Sequence, residues 1–311
     1  MQPKDPYFPF PKAPFDHAAL TKALDKIFTD APTTMSLGSL GDSILGHGIP
    51  LLRIGHGPRH LLYVGAHHGM EWITSVLLCR FVAELRDALE EPRHPQHASI
   101  KAIASYCTLH IVPMLNPDGV AYQLHGPDPQ HPLYARVITM NGGSTDFSHW
   151  QANARGVDLN HNYNVGFIEY KAYERQHEIP CGAPTKYSGS APESEPECAA
   201  LCNYIRFLGR PSLVLSLHTQ GEEIYFSSGT VTLPQCQRLL PHVAKLSGYT
   251  PAVPQGSAAY GGLLDWCLRT IQCPAFTLEC GKGHNPLPLE HASAIYARLR
   301  PLFFALPRMV G

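Results

Sequence analysis

Four short apolar runs constrain this chain more than any other feature: Leu61 to Gly65, Tyr106 to Pro113, Ser212 to Leu217 and Ala275 to Leu278. Each has the length of a buried strand. After the first, Ile73, Val76, Leu77, Phe81, Leu85 and Leu89 recur at helical spacing. Buried strands separated by helical segments point to an α/β fold, with a mixed, mostly parallel central sheet and helices on both faces. In open sheets of this kind, functional groups gather beyond the carboxyl ends of the strands, where loops converge over a crevice. Three of the four runs deliver an ionisable residue there: His68 and Glu71 after the first, His218 after the third and Glu279 after the fourth.

A chain of 311 residues with 44% hydrophobic side chains can bury one large core, and no linker divides it. Residues 1–30 read as an extended, proline-rich lead-in and a short helix that Asp16 caps and that ends near Phe28; residues 31–311 read as the main domain. Asn116-Pro117-Asp118-Gly119 reads as a turn. Residues 123–192 read as loop-rich, the kind of stretch that shapes a cleft. Ser194-Glu195-Pro196-Glu197 opens a helix through Phe207, and residues 289–306 form an amphipathic closing helix.

A net charge of −1 supplies no basic surplus for a phosphate backbone, so nucleic acid is not an expected partner. No apolar run of membrane-spanning length occurs, and the first fifteen residues lack the features of a signal peptide. Nine cysteines without a paired framework fit a reducing, cytoplasmic compartment.

His68 and Glu71, at His-x-x-Glu spacing, and His218 on another strand end offer three donors for one zinc ion, leaving a coordination position for water. The spacing alone is weak, since eighteen histidines yield roughly one such match by chance. Placement at one sheet edge is what gives it meaning. Asp158 is a plausible acceptor to orient a metal-bound imidazole. Cys198 and Cys202, one helical turn apart, have no partners for a second site and read as buried small side chains.

These residues resemble the zinc metallocarboxypeptidases (family M14). The segments that carry the resemblance are Gly65 to Ile73, Asn116 to Gly119, Arg155-Gly156-Val157-Asp158-Leu159-Asn160 and the strand carrying His218. Their order and separation agree from about residue 35 to the last helix. The resemblance implies a carboxypeptidase-like fold, with His68, Glu71 and His218 as zinc ligands and His67 one residue out of register. It also implies Glu279 as general base, Arg155 polarising the scissile carbonyl, Asn160 on the substrate carboxylate and Tyr260 as a substrate contact.

One departure bears on substrate. Such enzymes follow the Asp-x-Asn stretch with arginine, and this chain has His161 there. Histidine is mostly neutral at pH 7, whereas arginine stays charged and grips a carboxylate with two parallel bonds. A strict demand for a free C-terminus is therefore not expected. Asn160 to Tyr163, His218 to Tyr225 and Gly281 to Pro288 resemble one subgroup, the bacterial γ-D-glutamyl-meso-diaminopimelate peptidases, which implies murein stem peptides as substrate. His161, Glu222 and Glu223 offer polar contacts for such a ligand. The alternatives are an ordinary carboxypeptidase, a non-catalytic peptide-binding protein on the same scaffold and, more remotely, an N-acyl amino acid deacylase.

Overall fold

A computed structural model describes residues 8–310; the first seven residues of the lead-in and Gly311 lie outside the described residues. Among the described residues the elements in chain order are α1 (His17–Phe28), β1 (Met35–Asp42), β2 (Gly48–Gly55), β3 (Arg59–Val64), α2 (Ile73–Glu90), α3 (His97–Tyr106), β4 (Cys107–Val112), α4 (Pro117–His125), α5 (Tyr134–Met140) and α6 (Phe167–Gln176). The second half adds α7 (Pro196–Phe207), β5 (Leu213–His218), β6 (Glu223–Tyr225), α8 (Pro234–Ser247), β7 (Thr250–Ala252), α9 (Leu263–Trp266), β8 (Ala275–Glu279) and α10 (Ala292–Met309).

The strands form one mixed sheet in the order β1-β2-β4-β3-β5-β8-β6-β7. Its centre, β4-β3-β5-β8, is parallel, while β2 on one side and β6 on the other run antiparallel to it. Every residue of β4 and β5 is buried, as expected of strands covered on both faces. From β3 the chain crosses to β4 on one side, and β5 then continues to β8 on the other. The crevice between the carboxyl ends of β3 and β5 is therefore the switch point of the sheet, where such folds hold ligands.

The two ends of the chain close one face together. On the N-terminal side, Asp16 caps α1 by accepting from the Ala19 N–H at 2.8 Å, and Phe8, Phe15, Leu20, Leu24 and Ile27 join the main core. α1 packs on α2, and α2 on α10. No helix among the described residues is long and apolar enough to cross a membrane.

Three features differ from the sequence reading. Asn116-Pro117-Asp118-Gly119 is not a free turn. It starts α4, with Asn116 as the N-cap accepting from the Gly119 N–H at 2.8 Å and the proline in the first turn, where its missing N–H costs nothing. The region 123–192 contains α5 and α6, and it rests on a second small core around Trp150, Phe147, Tyr122, Val137 and Met140. The hairpin β1–β2, the short strands β6 and β7, and α8 complete the fold without having been legible beforehand.

Candidate metal centre

Beyond Val64 the backbone turns sharply, with buried Ala66 in the left-handed region at φ 47°. This turn is clamped on both sides: the Ala66 N–H donates to Thr74 Oγ1 at 2.8 Å, and its carbonyl accepts from the Asn116 N–H at 3.0 Å. A one-turn 3-10 helix, Gly69–Glu71, follows. Positions three apart eclipse in that geometry, so the His-x-x-Glu spacing puts His68 and Glu71 side by side, with Nδ1 2.9 Å from Oε1.

His218 is the last residue of β5, the neighbour of β3. Its Nδ1 lies 3.0 Å from Glu71 Oε2 and 3.3 Å from His68 Nδ1. These are the three donors expected from the sequence, and one ligand atom from each lies within 4.8 Å of the others. A metal–nitrogen distance of about 2.0–2.1 Å puts tetrahedral ligands roughly 3.3 Å apart, so the observed separations suit one small divalent cation.

The hydrogen bonding also fits. His68 Nε2 donates to Asp158 Oδ1 at 3.1 Å, which leaves the Nδ1 lone pair facing the other two donors. Asp158 is held in turn, its Oδ1 accepting from the Asn160 N–H at 3.2 Å and its Oδ2 from the Lys186 N–H at 3.1 Å. Burial works against charge on His68, but Glu71 and Asp158 outweigh it and favour a cationic ring. Burial likewise opposes ionisation of Glu71, yet His68 and His218 hold its carboxyl down at about 2. Electrostatics that would keep a proton here will equally keep a metal cation.

His67 stays outside this set. Its Nε2 lies 2.9 Å from the Tyr163 hydroxyl, and burial, reinforced by His218 and His68, pushes the ring well below its ordinary range.

Glu279 ends β8, in register with His218. Burial first, and Glu71 and Glu223 after it, push its carboxyl well above the ordinary value against the opposing pull of His68. With His68, Glu71, His218, Asp158, Asn160 and His161 it lines one cavity of about 230 Å³.

Arg155 is not brought there. Asn153 Oδ1 accepts from the N–H groups of Arg155 and Val157, closing a tight turn that leaves the Arg155 side chain 49% exposed and 3.7 Å from Glu195. A nearby loop residue that does line the cavity is Gln151. Its carbonyl accepts from the Gly69 N–H at 2.9 Å, and its Oε1 accepts from the Thr185 hydroxyl, so the amide N–H₂ remains available as a donor. No sequence signal singled Gln151 out, since it precedes the recognisable segment by four residues.

Asn160 lines the cavity with its Oδ1 committed to the Leu263 N–H at 3.1 Å. His161 is buried and stacked flat on Tyr170, with centroids 4.1 Å apart, and its Nδ1 donates to the Tyr260 carbonyl at 2.8 Å. Tyr260 touches the site through that carbonyl. The residue is 40% exposed and is not part of the cavity lining, which its neighbours Ser257, Ala258 and Gly262 help to provide. Glu222 pairs with Arg298 at 3.2 Å and Lys282 at 3.3 Å, and Glu223 accepts from the Tyr225 hydroxyl at 3.0 Å; neither lines the cavity.

Comparison with known proteins agrees with this geometry. The family described as zinc carboxypeptidase, peptidase M14, matches residues 20–297. Gamma-D-glutamyl-L-diamino acid endopeptidase 1 of Lysinibacillus sphaericus is 32% identical over 94% of this chain and 72% of its own length. Carboxypeptidase A of Helicoverpa armigera superposes with a TM-score of 0.68 at 16% identity, covering 95% of this chain and 73% of that one. Murein-tripeptide amidase MpaA of Escherichia coli O157 gives 0.52 at 20% identity, covering 88% and 92%. With the family match spanning nearly the whole domain, the chain belongs to the M14 zinc carboxypeptidase family and is a metallopeptidase.

Proposed function

We propose that this protein hydrolyses an amide bond in peptidoglycan stem peptides, of the γ-D-glutamyl-diaminopimelate type, with one zinc ion held by His68, Glu71 and His218 and with Glu279 as the base. The observation that carries the reading is the convergence of those three donors beside Glu279 in a single cavity. A bound zinc supplies Lewis acidity, polarising a carbonyl and lowering the pKa of water, and mixed imidazole and carboxylate donors suit it.

The side chains divide the remaining work. Glu279 takes a proton from the attacking water and delivers it to the leaving nitrogen, and its burial makes it a stronger base than an exposed carboxylate. The free amide of Gln151 donates to the carbonyl oxygen as charge builds on it, the task expected of Arg155. Asp158 orients His68.

For the substrate, the support comes from the Lysinibacillus relative, whose name states a γ-D-glutamyl-L-diamino acid bond, and from His161. Its ring is committed to Tyr170 and to the Tyr260 carbonyl, so it is no equivalent of a carboxylate-gripping arginine. A reducing compartment, read from the cysteines, belongs to the same proposal.

Zinc-loaded protein is expected to cleave an L-alanyl-γ-D-glutamyl-diaminopimelate tripeptide and to lose that activity to a chelator, with zinc restoring it. Glu279→Gln should lower kcat at least about 1,000-fold while zinc content per chain stays at the wild-type value. Cleavage of ordinary C-terminal substrates alone would retire the murein reading, and unchanged turnover in the variant would remove Glu279 as the base.

A further inference from the structure

Resting on the hydrolase reading above, we propose that Lys186 is the residue that grips a substrate carboxylate, doing what an arginine after Asn160 would otherwise do. Among the described residues that line the cavity, Lys186 is the one lysine or arginine, and it stands against four carboxylates there. A substrate carrying a free carboxylate on the leaving side of the scissile bond needs a cation in that surrounding. His161 does not provide it, because its Nδ1–H is spent on the Tyr260 carbonyl, its Nε2 lies 3.9 Å from Asp158 Oδ2 and its ring is stacked on Tyr170.

The backbone places Lys186 with care. Its N–H donates to Asp158 Oδ2 at 3.1 Å, its carbonyl accepts from the Tyr170 hydroxyl at 2.9 Å, and the carbonyl of Tyr187 accepts from the Asp158 N–H at 2.7 Å. Asn160 sits on the other oxygen of the same carboxylate, through its own N–H. With Asn160 Oδ1 committed to Leu263, its amide N–H₂ is the donor left for a ligand. Lys186 and Asn160 thus flank Asp158 through their backbone N–H groups and both line the cavity.

Two further observations set this lysine apart from an incidental surface charge. It is exposed, and no ion pair holds its ammonium among the described residues. Its φ of 67° lies in the left-handed region, which side chains disfavour and glycine adopts freely. A side chain kept at a position that disfavours one calls for a use. Lysine is a mobile point charge and not a rigid fork, so the grip tolerates a carboxylate at varied positions, including one carried on a side chain.

The test compares zinc-loaded wild type, Lys186→Met and Lys186→Arg on one peptide in two forms, the free acid and the carboxamide at the leaving residue. Both variants keep the backbone bonds to Asp158 and Tyr170, so folding and metal content are expected to match wild type. Lys186→Met should raise KM for the acid about 10- to 100-fold with kcat within about 3-fold, leave the carboxamide unaffected, and be largely rescued by arginine. Equal losses on acid and carboxamide, or no loss on the acid, would overturn the proposal. If wild type leaves the diaminopimelate peptide uncut, the substrate reading fails by itself. The same acid and carboxamide comparison on a C-terminal peptide substrate then decides the role of Lys186.

Discussion

Asp158 shows how much one side chain can settle. A single carboxylate takes hydrogen bonds from His68 Nε2 and the Asn160 N–H on one oxygen and from the Lys186 N–H on the other. Both oxygens must accept, which a carboxylate can do and a carboxamide cannot. Asp158→Asn forces an N–H₂ against either the Lys186 N–H or the His68 N–H, so His68 loses its orientation or its tautomer. Zinc affinity, read by competition with a chromophoric chelator, is expected to fall about 10- to 100-fold. Wild-type affinity in that variant would show that His68 is held by other means. His218 and Glu279 were legible as candidates because each ends a strand, and His68 and Glu71 because they lie in the turn just after one; strand ends are visible as apolar runs that stop at a polar residue. Gln151 and Lys186 were not, since which side chain of a loop faces inward depends on turns closed by distant partners such as Pro184 and Asp158.

At the scale of elements, the turn after β3 and α4 are built against each other. Asn116 Nδ2 donates to the carbonyl of His67 at 3.0 Å and to those of Gln151 and Ala152 at 3.2 Å, tying the turn after β3 to the start of α4 and to the cavity loop. The contact is so close that a Cβ on Gly69 would lie 2.3 Å from the Gly119 carbonyl oxygen, and one on Gly119 would lie 2.4 Å from that of Ala152. Backbone has nowhere to retreat in either direction. Gly69→Ala is therefore expected to cost about 1–3 kcal/mol in urea unfolding, seen as a lower midpoint at unchanged slope, and to weaken zinc binding in parallel. Full stability with intact zinc affinity would mean the turn can shift without moving His68. This packing explains why the Asn-Pro-Asp-Gly segment misled the sequence reading. Its residues are those of a turn, and only the Asn116 cap and the contact with Gly69 turn them into the head of a helix.

Taken as a whole, the molecule carries a second buried polar network away from the cavity. It joins the loop between β1 and β2 to α4 and α7. Asp118 accepts from Ser43 Oγ at 2.6 Å and pairs with His47 Nδ1 at 2.8 Å, and Glu197 accepts from Asn153 Nδ2 at 3.3 Å. Burial, with repulsion from Asp118 and Glu195, pushes Glu197 up to about 7 from an ordinary value of 4.5. The folded state therefore binds the extra proton between those two values, so stability falls as pH rises from about 4.5 to about 7 and stays reduced above. Glu197→Gln removes this titration. Relative to wild type, its Tm is expected to gain as pH goes from 5 to 8, by the equivalent of a few kcal/mol at most. A difference in Tm that does not change with pH would show that Glu197 ionises freely in the folded chain.

Linear order was enough for the parts of this protein that depend on local periodicity: the central strands, the helix after β3, the capped helix at Asp16 and the four ionisable groups at strand ends. Each follows from residues close together in the chain, whose alternation of apolar and polar side chains reports burial directly. The cleft itself is a product of folding. Gln151, Lys186 and His161 acquire their positions from hydrogen bonds to residues tens of positions away, and the outward placement of Arg155 follows from how its turn closes. Such contacts leave no periodic trace along the chain, because they are selected by the packing of the loop on the finished sheet.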